Sequence, residues 1–118
     1  MTQVNRKMLK NVLRKKFDKF EEAEDGEDAL ARYHSHSYGH DANQHSNYYD
    51  VIITDYLMPR MNGLELVKQL RSNGYTGQII GLTGDTDMQA AFEEAGANHL
   101  LTKPVQGKVL LETVQGKN

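Results

Sequence analysis

The first residue in this chain with the look of chemistry is an aspartate that closes a hydrophobic run. Tyr49-Asp50-Val51-Ile52-Ile53-Thr54-Asp55 places four residues of strong β bias directly before Asp55. Tyr56-Leu57-Met58-Pro59-Arg60-Met61-Asn62-Gly63 then turns the chain away with Pro and Gly. Open α/β sheets gather their ligand chemistry at the carboxyl ends of strands, where the chain leaves for a loop. Asp55 in that place is a reactive carboxylate on a rigid stem. Thr83, with Gly84 beside it, ends a second apolar run, and Lys103 follows a third and precedes Pro104. Taken singly each has a plainer reading: an Asp capping a turn, a β-branched residue ending a strand, a Lys-Pro surface turn.

The elements that must hold these residues follow from periodicity. Met8, Leu9, Val12, Leu13 and Phe17 recur at helical spacing opposite Lys and Arg, predicting a first helix over about Asn5 to Lys16. A short, weakly apolar strand is expected around Lys19–Ala23, suited to an edge. Asp25 is a candidate N-cap for a helix through Ala29 and Leu30. His34 to Tyr48 is polar and aperiodic and reads as an irregular insertion before the main strand at Val51–Thr54. Asn62 with Glu65 three residues on opens the next helix, and Asn73-Gly74 ends it. Then come a buried-type strand over Gln78–Thr83, a helix from Thr86 to Ala95 stopped by Gly96, a strand over His99–Thr102 and a helix over Gly107–Gln115. Strands alternating with helices mean an α/β fold, a doubly wound parallel sheet covered on both faces.

Size and composition bound the rest. The 118 residues fit one domain, residues 1–118, with a stability of about 5–15 kcal/mol. The absence of Cys excludes a disulfide framework, a thiolate metal site and a thiol nucleophile. No apolar stretch approaches a membrane span, and the basic start lacks the apolar centre of a signal peptide, so an intracellular protein is expected. Seven of the 14 basic residues precede residue 20. Such a run is ordinarily the solvated face of an amphipathic helix, and nucleic acid is not the expected partner.

The run from Asp55 to Gly63 resembles the phosphoacceptor segment of two-component response-regulator receiver domains, whose pattern is Asp-x-x-Met-Pro-x-Met-x-Gly. Asp55, Met58, Pro59, Met61 and Gly63 all fit it, and the likeness extends over about residues 2 to 116. It implies a receiver (flavodoxin-like) sheet in the order 2-1-3-4-5. The function implied is phosphorelay signalling, in which a phosphoryl group passes from a histidine kinase or histidine phosphotransfer protein to Asp55. A receiver assists its own phosphoryl transfer but is not otherwise an enzyme. The transferring group spreads negative charge over its oxygens, so the work is positioning and neutralisation. Thr83 matches the family's phosphoryl-binding hydroxyl. Lys103-Pro104 matches its phosphoryl-binding lysine and the cis-proline bend that follows.

Three departures stand out. Receivers begin with an apolar strand ending in two acids that hold Mg²⁺ together with the acceptor. Asn5-Arg6 aligns with the pair opening the family's first helix, so Met1 falls on the second acid and the first strand lies upstream of the sequence. The sheet is therefore expected to be incomplete, the domain truncated at its amino end. Four buried aliphatic side chains would be lost, about 6–12 kcal/mol, comparable to a whole domain's stability. Mg²⁺ is left with Asp55 and the Leu57 carbonyl, a weak site for an ion that wants near-octahedral oxygen coordination. Glu24 and Asp25 follow the second strand, away from the family's metal site, and are not expected to substitute. Last, Leu100 stands three residues before Lys103, where receivers often carry an aromatic that reports on the Thr.

Two other function classes compete with the phosphoacceptor. A phosphorylation-incompetent pseudo-receiver, or a fragment of a longer protein, would keep a partner surface and act as a binding module. His34, His36, His40 and His45 share one segment and could hold a transition metal, but their spacing matches no structural zinc pattern. A phosphatase of the haloacid dehalogenase type would want an acid two residues after Asp55, where Leu57 stands.

Overall fold

The computed structural model describes residues 9–17, 20–23, 25–35, 49–56 and 61–115. Among the described residues three strands form a parallel sheet in the order β1 (Val51–Asp55), β2 (Gln78–Thr83), β3 (His99–Thr102). Residues 9–13 are helical (α1), and the other helices are α2 (Gly26–Ser35), α3 (Gly63–Ser72), α4 (Gln89–Ala95) and α5 (Gly107–Gln115). A parallel sheet must be covered on both faces, so its central strand reads as continuously apolar. In β2 every residue from Ile79 to Thr83 is buried.

The period-2 alternation of each strand divides the interior into two clusters. On one face Ile79, with Ile52 and Leu100, packs against Tyr33 of α2, Leu66, Val67 and Leu70 of α3, and Phe92 of α4. On the other, Ile80 and Leu82, with Val51, Ile53 and Leu101, pack against Leu9 and Leu13 of α1 and Leu110 and Val114 of α5. This is the doubly wound arrangement that alternating strands and helices predicted. A side chain at Gly81 would run into the ring of Phe92, its Cβ 2.7 Å from the nearest ring carbon, so the bare backbone there lets α4 seat on the sheet.

Helix ends follow local chemistry. The Asn62 side chain accepts from the Glu65 amide at 2.8 Å to cap α3, and Asp25 does the same for the Asp28 amide at 2.9 Å at the start of α2. Gly96, with φ of +119°, ends α4 in a left-handed turn whose amide returns to Phe92 and Glu93. At the sheet's amino end Arg71 acts as a staple. Its guanidinium donates to the carbonyls of Gly96, Tyr75 and Gly77 at 2.8–2.9 Å and to Asn98 Oδ1 at 3.0 Å. Burial lowers its pKa, with Tyr75 pulling the other way. Asn98 Oδ1 also receives the Ile79 amide, tying the staple to β2.

Four sequence expectations change. Residues 20–23 form no strand. Among the described residues no strand lies beside β1 on its free edge for them to pair with, and they are held by side chains instead. Phe20, like Val51 and Ile53, packs against the Leu9, Ile80 and Leu82 cluster, and the Tyr49 hydroxyl donates to Glu21 at 2.8 Å. His34 and Ser35 belong to α2, because the apolar spacing of Ala29, Leu30 and Tyr33 carries the helix past the polar boundary; the rest of the expected insertion, through Tyr48, lies outside the described residues. The first helix gives way to a turn at 14–16, where the Lys16 and Phe17 amides both reach back to the Leu13 carbonyl. The helix expected from Thr86 starts as a 3₁₀ turn, Thr86–Met88, because the Asp85 side chain caps the Asp87 amide at 2.9 Å, and becomes α-helical at Gln89.

Candidate functional site

The ladder carries past the ends of the strands. The Tyr56 amide donates to the Leu82 carbonyl at 2.9 Å and the Lys103 amide to the Thr83 carbonyl at 2.8 Å. That register brings Asp55, Thr83 and Lys103 to one end of the sheet. The three were picked out separately in the sequence, and the fold assembles them.

Asp55 is buried, its side chain 5% exposed, and its Oδ1 lies 2.6 Å from Lys103 Nζ. The contact is an ion pair without the angles of a hydrogen bond. Lys103 reaches in from the edge with its side chain 32% exposed, following β3 and preceding a cis Lys103–Pro104 peptide. Thr83 is buried, and its Oγ1 accepts from the Asp85 amide at 3.0 Å. With that lone pair engaged, the hydroxyl proton is available to an incoming acceptor. A side chain added at Gly84 would meet nothing within 4 Å.

Supporting residues escaped the sequence reading. Thr54 is buried and its hydroxyl donates to the Asp55 carbonyl at 3.0 Å. Nothing in a β-rich run marks that threonine out. Gly63 was noted as part of a motif, and the structure supplies the physical reason for it. Its amide donates to the Tyr56 carbonyl at 2.8 Å. A Cβ there would fall on the Asp55 carbonyl oxygen, 2.9 Å from the Asp55 carbonyl carbon and 3.1 Å from Tyr56 Cα. The α3 terminus can approach β1 only because residue 63 has no side chain. Gly26 plays the same part for α2: its missing side chain leaves room for Met61, whose Cβ lies 2.7 Å from where a Cβ would stand.

Among the described residues, Asp55 is joined by no second acid placed to share a Mg²⁺ ion. The described carboxylate at the strand ends already faces an ammonium. No group of three His, Cys, Asp or Glu side chains suited to a metal occurs among the described residues. Asp25 is spent on capping α2, and Leu57, whose carbonyl was the other expected ligand, lies outside the described residues, as do Glu24 and three of the four clustered histidines, His36, His40 and His45. Leu100 is half-buried against the Phe92 cluster, so the position three residues before Lys103 holds core rather than an aromatic switch.

No helix among the described residues is long and apolar enough to cross a membrane. Comparison with known proteins agrees with the geometry. The Helicobacter pylori chemotaxis protein CheY1 is 37% identical over 122 residues, covering 96% of this chain and 90% of that protein. The Vibrio parahaemolyticus autoinducer 2 sensor kinase/phosphatase LuxQ is 36% identical over 76% of this chain, and the Xanthomonas campestris sensory/regulatory protein RpfC is 42% identical over 56%. The chain spans only about a tenth of the length of those two sensor proteins. The crystal structure of Vibrio cholerae chemotaxis protein CheY4 superposes with a TM-score of 0.76 at 31% identity, over 97% of this chain and 89% of that one. The family model of the response regulator receiver domain matches residues 2–115. With a parallel sheet wound on both faces and Asp, Thr and Lys gathered at its carboxyl end, the chain belongs to the response regulator receiver domains, the signalling modules of the phosphorelay.

Proposed function

We propose that Asp55 is the phosphoacceptor of this receiver and that Thr83 and Lys103 bind the transferred group. The observation that carries the reading is the buried Asp55 carboxylate held 2.6 Å from Lys103 Nζ at the strand ends, with Thr83 on the neighbouring strand. In the step proposed, an Asp55 carboxylate oxygen attacks the phosphorus of a phosphohistidine on a histidine kinase or histidine phosphotransfer protein. The O–P bond forms as the N–P bond breaks, and the imidazole leaves with the N–P electron pair. The Lys103 ammonium neutralises charge on the phosphoryl oxygens, and the Thr83 hydroxyl donates its proton to one of them. The acyl phosphate then draws Thr83 and Lys103 toward it, which shifts the loops after β2 and β3 and so the surface a partner reads. An intracellular location goes with such a donor.

Transfer from a phosphorylated histidine phosphotransfer protein tests this. The wild-type chain should take up label, Asp55→Asn none, and Thr83→Ala should take it up more slowly. A wild-type chain that binds the donor but takes no label would favour the binding-module reading instead.

A further inference from the structure

We infer that Thr54 is a positioning residue for phosphoryl transfer: its hydroxyl holds the Asp55 carbonyl and so fixes the direction in which the Asp55 carboxylate is presented. This deepens the phosphoacceptor reading and rests on it for the reaction, while the aim of the carboxylate can be measured without any transfer.

The peptide that follows the acceptor is held at both its polar atoms. Its carbonyl, that of Asp55, accepts from Thr54 Oγ1 at 3.0 Å. Its amide, that of Tyr56, donates to the Leu82 carbonyl at 2.9 Å, and the next carbonyl along accepts from the Gly63 amide at 2.8 Å. On the other side of the acceptor, the β1–β2 register sets Asp55 opposite Leu82. With the planes on both sides of its Cα fixed, only the side-chain torsions of Asp55 remain free to aim the carboxylate toward Lys103 Nζ, 2.6 Å away. Aim matters because a nucleophile reacts from a narrow range of distance and alignment, and a misplacement of about 1 Å can cost about 100-fold in rate.

The hydroxyl is what needs explaining. Valine has nearly the volume of threonine and suits a strand as well, and a buried hydroxyl costs free energy unless it is bonded. Thr54 and Asp55 are both buried, so the hydroxyl stands where water would not readily replace it on the carbonyl. By the alternation of β1, Thr54 falls on the face of Ile52, toward Leu66 and Phe92, and Asp55 on the face of Ile53. Thr54 therefore acts on the acceptor through the backbone.

The test compares wild type, Thr54→Val and Thr54→Ser in uptake of label from a phosphorylated histidine phosphotransfer protein over a range of donor concentrations. Thr54→Val should transfer about 3–10-fold more slowly at saturating donor, with the half-saturating concentration unchanged. Thr54→Ser keeps the hydroxyl and should return the rate to within about twofold of wild type. A folded valine variant at the wild-type rate, or a serine variant as slow as the valine, would overturn the inference. If the valine does not fold, Thr54→Ser against Thr54→Ala makes the same comparison, and equal rates in those two would overturn it. A second arm needs no transfer. The coupling between Asp55 and Lys103, from urea denaturation of the Asp55→Asn and Lys103→Met variants, is measured again with Thr54→Val, where it should fall to about half or less. An unchanged coupling would overturn the inference. Absence of label in wild type counts against Asp55 as acceptor, and the coupling then decides whether Thr54 aims its carboxylate.

Discussion

Removing the Lys103 charge should destabilise the chain through Asp55. At 2.6 Å and an effective dielectric of about 20, the attraction of the pair is about 6 kcal/mol before desolvation. Burying the carboxylate costs several kcal/mol of that, and Lys103 keeps 32% of its side chain in water, which trims the net worth to about 1–3 kcal/mol. In Lys103→Met the apolar stem is retained while Asp55 is left as a buried charge without its counter-ion. A loss of about 2 kcal/mol is expected, or about 6–10 °C in Tm for a domain of this size. Asp55→Asn should cost less than about 1 kcal/mol, because the stranded ammonium can turn to solvent while a stranded carboxylate cannot. The double mutant should lose about 1 kcal/mol less than Lys103→Met alone, giving a coupling of about 1–2 kcal/mol. Urea denaturation followed by far-UV circular dichroism measures all four corners of the cycle. Because the carboxylate is buried, the coupling should persist in moderate salt. A Lys103→Met variant within about 0.5 kcal/mol of wild type, or additive single losses, would refute the pairing on which the site is built.

Three further perturbations separate the parts of the fold. Gly63→Ala forces a methyl into the Asp55 carbonyl, and α3 must withdraw; about 2–4 kcal/mol should be lost in urea denaturation, whereas a neutral substitution would mean that α3 does not approach β1 so closely. Arg71→Lys keeps the charge but loses the planar fork that reaches three carbonyls and Asn98, and should cost about 1–3 kcal/mol while leaving phosphoryl uptake at the far end of the sheet intact; loss of uptake in a folded variant would contradict that separation. The Tyr75 phenol is pushed above its ordinary value by burial, against the pull of Arg71. An unfolded Tyr75 therefore ionises from about pH 10 while the folded one stays protonated, so the stability is full below that pH and falls as pH rises beyond it. The stability advantage of wild type over Tyr75→Phe should shrink above pH 10, and an unchanged gap at pH 11 would contradict the burial effect.

The strands that bear the site were legible because their chemistry is local. Ile79–Leu82 is apolar without interruption, as a strand covered on both faces must be, and β3 ends where Lys103-Pro104 breaks the run. Asp55, Thr83 and Lys103 could be chosen because each follows such a run; that they meet is a matter of register, which a one-dimensional pattern carries only through the sheet topology it implies. Residues 20–23 were misread because strand propensity was weighed without asking what they would pair with. The end of α1 and the 3₁₀ start before α4 depended on which amide a nearby carbonyl or carboxylate captured, and the end of α2 on an apolar spacing that runs past the polar boundary. Thr54, the Arg71 staple and the close approach at Gly63 were hidden because each is defined by a backbone carbonyl, and every residue type supplies one.

The central claim, that Asp55 carries the phosphoryl group, is tested most directly by chemical trapping. After transfer from a phosphohistidine donor, borohydride reduces an acyl phosphate to the alcohol, turning the acceptor aspartate into homoserine. Peptide sequencing by mass spectrometry then reads the position. Homoserine at residue 55 alone, absent from the Lys103→Met chain or much reduced there, is the predicted result. Homoserine at any other acidic residue, or none in a folded chain incubated with a competent donor, would contradict it.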